Sequence, residues 1–204
     1  LKTAVEKAVI DTGAVSSSLD STSAGQETPA VAASQWCDFY ATEHGDPGVI
    51  LNEIAWMGTS DSTSNEWVEL ANNGNAPADV TGWVLSIEGK KDIVLSGDIS
   101  AGGFYLIERT DDTTVLTATA DLVASFGTGI SNTGAALSLK NASGVVADRV
   151  DGSQEWNIGG VVAGDNTTKE TAQRGSSGWL TGTPTPRAAN ISATSASVQE
   201  SGVN

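Results

Sequence analysis

Between residues 49 and 190, short apolar runs alternate with Gly, Asn, Asp, Ser and Pro, and nowhere does an apolar pattern sustain the 3.6-residue period of a helix. A chain punctuated in this way buries its side chains as brief strands joined by tight turns, since each run can cross a sheet but cannot support a stable helix. Strands are expected at 49–54, 66–71, 82–88, 92–95, 104–108, 122–126, 135–140, 145–150 and 168–174, with helices in this region limited to single turns. Many short strands with Gly-containing turns make an all-β chain, either a two-sheet sandwich or a barrel. Composition agrees, because Gly, Ser, Thr, Ala and Val are abundant while Lys, Arg and Met are scarce.

The clearest local pattern is Leu137-Ser138-Leu139-Lys140, whose alternation puts both leucines on one face. Asn141-Ala142-Ser143-Gly144 then turns the chain into 145–150 as a hairpin. Expected core positions are Ile50, Ile54, Trp67, Trp83, Leu85, Leu137 and Leu139. Gly82 lets the backbone bend just before Trp83, whose large ring suits the centre of a core. Asn52 and Glu53 fall inside an apolar strand, where a polar side chain must point outward or be hydrogen-bonded. Asn52 is expected to tie an adjacent loop through backbone hydrogen bonds.

The ends have a different texture. Residues 1–48 form an N-terminal arm in which Leu1, Val5, Val9 and Ile10 fit a short amphipathic helix. A Ser/Thr/Ala-rich stretch follows, and then the aromatic segment Trp36-Cys37-Asp38-Phe39-Tyr40. Three aromatics together carry too much apolar surface to stay in water, so Trp36, Phe39 and Tyr40 are expected to pack on a partner surface. Residues 191–204 are a small, polar tail. The chain opens with Leu1 rather than Met, and removal of a preceding segment is the expectation.

A formal net charge of −15 repels polyanions, so nucleic acid is an unsuitable partner. No apolar stretch is long enough to span a bilayer as a helix. The sole cysteine, Cys37, cannot form an internal disulfide; it reads as a small buried hydrophobe, with an intersubunit bridge as the alternative. The sole histidine, His44, sits in the turn sequence Gly45-Asp46-Pro47-Gly48, and no Gly-X-Ser-X-Gly elbow accompanies it, so a nucleophilic triad is not expected. Glu66 and Glu69, three apart on a strand, should face opposite ways and cannot pair for glycoside hydrolysis. No phosphate-binding Gly-rich loop is present, and no cofactor is expected. Asp61, Asn65 and Glu66 are weak calcium candidates, because their loop lacks the Gly and distal Glu of an EF-hand. Trp156 is either an exposed ligand-contacting ring or a lid over the end of the sandwich.

Five blocks resemble the lamin tail domain family in the correct order. They are Val49-Ile50-Leu51-Asn52-Glu53-Ile54 with Glu66-Trp67-Val68-Glu69-Leu70 and Asn72, then Asp79-Val80-Thr81-Gly82-Trp83-Val84-Leu85, then 99–109 with its Gly-containing bend into Tyr105-Leu106-Ile107, then the hairpin region 130–150, and last 168–174 with the Thr183-Pro184-Thr185-Pro186 finish ending at Asn190. The resemblance implies an immunoglobulin-like two-sheet sandwich over 49–190, a non-enzymatic module, and nothing about residues 1–48 or 191–204. Sandwich edges and unpartnered terminal arms together suggest a secreted or cell-surface structural or adhesive protein, self-assembling into a filament or other homo-oligomer through its arms. The alternative is a monomeric binding module, adhesive or accessory to a surface hydrolase, taking a cell-surface protein or glycan through loops 58–65 and 152–167.

Overall fold

The computed structural model of this chain describes residues 48–190. The expectations for Leu1, Val5, Val9, Ile10, Trp36, Cys37, Phe39, Tyr40 and His44, and for the tail 191–204, lie outside the described residues. Among the described residues all regular structure is β, and no helix is long and apolar enough to cross a membrane.

The described residues form fourteen strands: β1 (Val49–Ala55), β2 (Trp67–Asn72), β3 (Ala78–Asp79), β4 (Val84–Ile87), β5 (Ile93–Val94), β6 (Asp98–Ile99), β7 (Phe104–Arg109), β8 (Leu122–Ala124), β9 (Ala136–Lys140), β10 (Val146–Asp151), β11 (Asn157–Ile158), β12 (Val161–Val162), β13 (Thr171–Gly175) and β14 (Gly178–Gly182). One sheet has the order β14-β13-β1-β2-β7-β8, antiparallel except for the parallel β7–β8 pair. The second has the order β10-β9-β4-β5, and two short ribbons, β3–β6 and β11–β12, complete the set. Each of the nine expected segments contains a strand. The closing strand β14 and the two ribbons were not anticipated, because their sequences are too short or too rich in Gly and polar residues to register as apolar runs.

The two sheets stack as an immunoglobulin-like sandwich. Leu85 and Ile87 of β4 and Leu137 and Leu139 of β9 turn inward, as expected from their alternation, and meet Leu51, Ile54, Val68 and Leu70 from the larger sheet. Trp83 is buried in the same cluster. In the β9–β10 hairpin, Asn141 Oδ1 accepts from the backbone N–H groups of Ser143 and Val145, holding the expected turn.

One expected core position is corrected. Leu51 pairs with Leu70 and Glu53 with Glu69, so Asn52 is an extra residue in β1, a β-bulge. The bulge resets the alternation: Ile54 faces the sandwich interior, while Ile50 falls on the opposite face and is only half-buried. Trp67 is part of the buried core as expected, at 2% exposure; it pairs with Ala55 and Glu108 and shares the outer face of the sheet with Glu69.

The half of β1 beyond the reach of β13 is closed by side chains. The Leu51 N–H donates to Asp148 Oδ2 at 2.8 Å, and Arg174 Nε donates to the Leu51 carbonyl at 2.7 Å. Arg174 and Asp148 are themselves paired at 2.5 Å. This ion pair stands where a neighbouring strand would, and it fastens β10 of one sheet to β1 and β13 of the other.

Candidate functional site: glutamates beneath a strap

The outer face of the six-stranded sheet carries three glutamates on adjacent strands: Glu53 on β1, Glu69 on β2 and Glu108 on β7, each at 0% exposure. An apolar strand places them there because successive residues alternate faces, so one face takes Val68 and Leu70 while Trp67, Glu69 and Ala71 take the other. Burying carboxylates is unfavourable unless donors surround them. The donors come from β13, from Asn52, from the β7–β8 connection and from residues 183–190, which leave β14 and cross this face as an irregular strap.

Glu53 is ringed. Oε1 accepts from the Thr171 hydroxyl, from Gln173 Nε2 at 3.0 Å and from the Thr185 N–H at 3.1 Å; Oε2 accepts from the Thr185 hydroxyl at 2.9 Å. Glu69 has fewer partners, accepting from Asn52 Nδ2 at 2.9 Å and from the Arg187 N–H at 2.6 Å. Asn190 closes the strap, its Nδ2 donating to the Asn52 carbonyl at 2.9 Å and the Arg174 carbonyl at 3.0 Å. The Arg187 guanidinium reaches Asp121 at 2.7 Å and the Thr119 carbonyl at 2.6 Å, pinning the strap to the β7–β8 connection. Glu108 lies under that connection and accepts from the N–H groups of Thr114 and Val115 at 3.1 and 3.2 Å.

Burial raises the pKa of Glu53 above the ordinary carboxylate value, and its hydrogen bonds only partly oppose this. For Glu69, burial together with the nearby Glu53 charge outweighs two donors and Arg187, and its carboxyl rises to about 7. Glu108 is raised by burial, with Asp112 and Asp111 adding to the effect. Glu66 faces away from Glu69, as expected; burial raises it, while the Ile130 N–H at 2.8 Å and Arg109 at 3.2 Å pull it back.

Paired, raised carboxylates are the raw material of acid–base catalysis. Here all their oxygens lie beneath the strap or the β7–β8 connection, engaged by donors of the fold. Two hollows open at the ends of this face. One hollow of about 370 Å³ lies between loop 58–61, the β7–β8 connection, Lys169 and the strap prolines Pro184 and Pro186, with Leu116 on its rim. The other, of about 300 Å³, lies at the start of β1 over Ile50, Ala71 and Phe104.

The calcium candidates are not brought together. Asp61 is exposed, Asn65 donates to Thr59 Oγ1 at 3.3 Å, and the Glu66 carboxylate is held by Ile130 and Arg109. Among the described residues no three His, Cys, Asp or Glu side chains gather as metal ligands. Trp156 is a lid, not a ligand-contacting ring: it is fully buried, stacks on Trp56 with centroids 5.3 Å apart, and donates from Nε1 to the Ser131 carbonyl at 2.9 Å. The Asn52 side chain grips Glu69 and Asn190 instead of a loop backbone. Asn72 has the loop-tying role, bonding the Ala76, Ile99 and Ser100 carbonyls and the Gly74 N–H.

Comparison with known families matches residues 42–154 to the lamin tail domain. The chain belongs to the lamin tail domain family. No curated protein matches it. The family is an immunoglobulin-like domain, often a binding or structural module and generally non-enzymatic. In this lamin tail domain the matched residues supply β1 to β10, including Glu53, Glu69 and Glu108. The blocks at 168–174 and 179–190 fall outside the match. Strand β13 and the strap after β14 bring the donors to Glu53 and the Arg187 N–H to Glu69, while Asn52, Thr114 and Val115, inside the match, donate to Glu69 and Glu108.

Proposed function

We propose that this protein is a structural or adhesive module of the cell exterior that joins copies of itself through its terminal arms. The observation that carries the non-catalytic part is the occupation of its most perturbed groups. Glu53 and Glu69 are saturated by Thr171, Gln173, Asn52 and the strap, so their chemistry goes into holding the sheet face. A substrate would have to displace the strap and leave those buried donors unpaired.

The assembly part is supported by edges and ends. Edge strands β5 and β8 are two and three residues long, too short to template much pairing. β10, with six residues and Val145 and Val146 exposed beside or on it, is the longest edge of the smaller sheet and suits an added strand. Deleting residues 1–34 tests this: negative-stain electron microscopy of the full chain should show filaments, and the deleted chain should give discrete particles. Discrete particles from the full chain at every concentration would reject assembly.

A second reading, a monomeric binding module for a surface protein or glycan, is favoured by one feature. Leu116 is 78% exposed at the rim of the hollow between loop 58–61 and the strap prolines. Glycan-array or cell-surface binding that persists without residues 1–34 and is lost in Leu116→Asp would support it.

A further inference from the structure

At the end of the outer sheet face where β1 begins, Ile50, Ala71 and Phe104 stand side by side on three adjacent strands, since Ile50 pairs with Ala71 and Ala71 with Phe104. They floor the hollow of about 300 Å³, which Asn73, Arg174 and Asn190 wall. The strap covers the glutamates next to it and its last described residues, Ala189 and Asn190, line the hollow, in which Ile50 and Phe104 are half-buried. Arg174 is already fixed, by the Leu51 carbonyl and Asp148, and lies 5.0 Å from the centre of the Trp179 ring. The hollow therefore has an apolar floor and, in its wall, an arginine held in place by Asp148 and the Leu51 carbonyl.

The described chain begins on the rim of this hollow. The Gly48 carbonyl accepts from the Asn73 N–H at 3.0 Å, and Asn73 lines the wall. Gly48 has φ of +83°, and a Cβ there would sit 3.1 Å from the Gly74 nitrogen, so a glycine is needed for the chain to enter at this angle. Upstream, the sequence offers one concentrated apolar element, Trp36-Cys37-Asp38-Phe39-Tyr40, which sets an acid among three aromatics. Residues 41–47 separate it from Gly48 and span at most roughly 25 Å when extended, a tether short enough to keep the segment at high local concentration over the hollow.

We propose that this hollow receives the aromatic segment 36–40 of the same chain, with an aromatic ring on Ile50 and Phe104 and Asp38 directed at Arg174. The docked segment fixes the root of the N-terminal arm on its own domain and leaves residues 1–34 as the portion that meets a neighbour. The proposal stands whether or not the protein assembles.

Cys37, the sole cysteine, makes the test direct. Ser176 lines the same hollow, and Ser60 lines the hollow at the opposite end of β1. In the full chain, Ser176→Cys treated with a short bismaleimide cross-linker at low protein concentration should give an intramolecular Cys37 link, read by peptide mass spectrometry of the monomer band. Ser60→Cys should give roughly tenfold less of it, and so should Ser176→Cys combined with Phe104→Glu. Replacing Trp36, Phe39 and Tyr40 together by Ser should lower the yield in the same way without altering any side chain in the core of residues 48–190. Equal linking from Ser60→Cys, covalent dimers in place of internal bridges, or a yield indifferent to the aromatic replacements would each overturn the proposal. Deletion of residues 1–34 retains the segment, so loss of filaments there reports on assembly and not on this docking.

Discussion

On the inner face of the six-stranded sheet, Leu51, Ile54, Val68 and Leu70 are dry because they meet the other sheet; on the outer face Glu53, Glu69 and Glu108 are equally inaccessible because polypeptide has been laid over them. The inner face is held by contact that needs no direction, and its stability scales with buried apolar area. The outer face is held by directed hydrogen bonds, each of which matters chiefly through the cost of leaving its partner unmade. Two faces of one sheet thus reach the same burial by different physics, and they should fail differently.

The sharpest contrast comes from truncating one residue on the inner face. Leu51→Ala should cost about 4 kcal/mol in urea unfolding, from lost transfer energy and the cavity left behind, and the cost should be the same at pH 5 and pH 8. The outer face should instead respond to pH. The Glu69 carboxyl sits at about 7 in the folded protein against an ordinary value of 4.5, so between those pH values the folded state keeps a proton that the unfolded chain has released. Stability is therefore fully present below about 4.5, declines as pH rises toward 7 and levels off beyond, a loss on the order of 3 kcal/mol. Glu69→Gln should flatten most of that slope; a wild-type profile that is level or rising from pH 5 to 7.5 would contradict the buried pair.

Smaller effects refine the picture. Glu53→Ala leaves the Thr185 N–H without its acceptor and should cost about 2 kcal/mol, with faster amide exchange confined to the strap. Asn190→Ala removes the last tie of the strap and should cost about 1 kcal/mol, visible as increased proteolysis after residue 182 while the sandwich stays intact. By contrast, the Arg149–Asp151 pair is 3.6 Å apart and exposed on both sides, and Arg149→Ala should change stability by less than about 0.5 kcal/mol.

The inner face was legible because its information is local. Leu137-Ser138-Leu139-Lys140 announces its own inward residues, and Asn141 to Gly144 announces the turn. Ile50 was misplaced for a definite reason: an even spacing from Ile54 implies a shared face only if the strand is regular, and the extra residue at Asn52 makes it irregular. The outer face was hidden because its partners are far apart in sequence. Glu53 meets Thr171, Gln173 and Thr185, and Glu69 meets Arg187. Read singly, each glutamate is an acid that could face water, and 183–190 resembles any Pro- and Thr-containing loop. A usable signal was present in both glutamates, since each interrupts an otherwise apolar strand and so demands either solvent or an organised set of donors. The pairing of Trp56 with Trp156 has no comparable sign, as each lies in a turn-rich stretch.

The bulge at Asn52 has a consequence of its own. Excising that single residue would leave Leu51 facing in, Glu53 facing out and Ile54 facing in, so the sheet would become more regular with every neighbouring side chain on its present side. What would vanish is the mooring point, because the surplus residue offers the backbone carbonyl to which Asn190 ties and the side-chain amide that steadies Glu69. A tidier strand would make a looser molecule, and the flaw in the ladder is the hitch by which the far end of the domain is made fast.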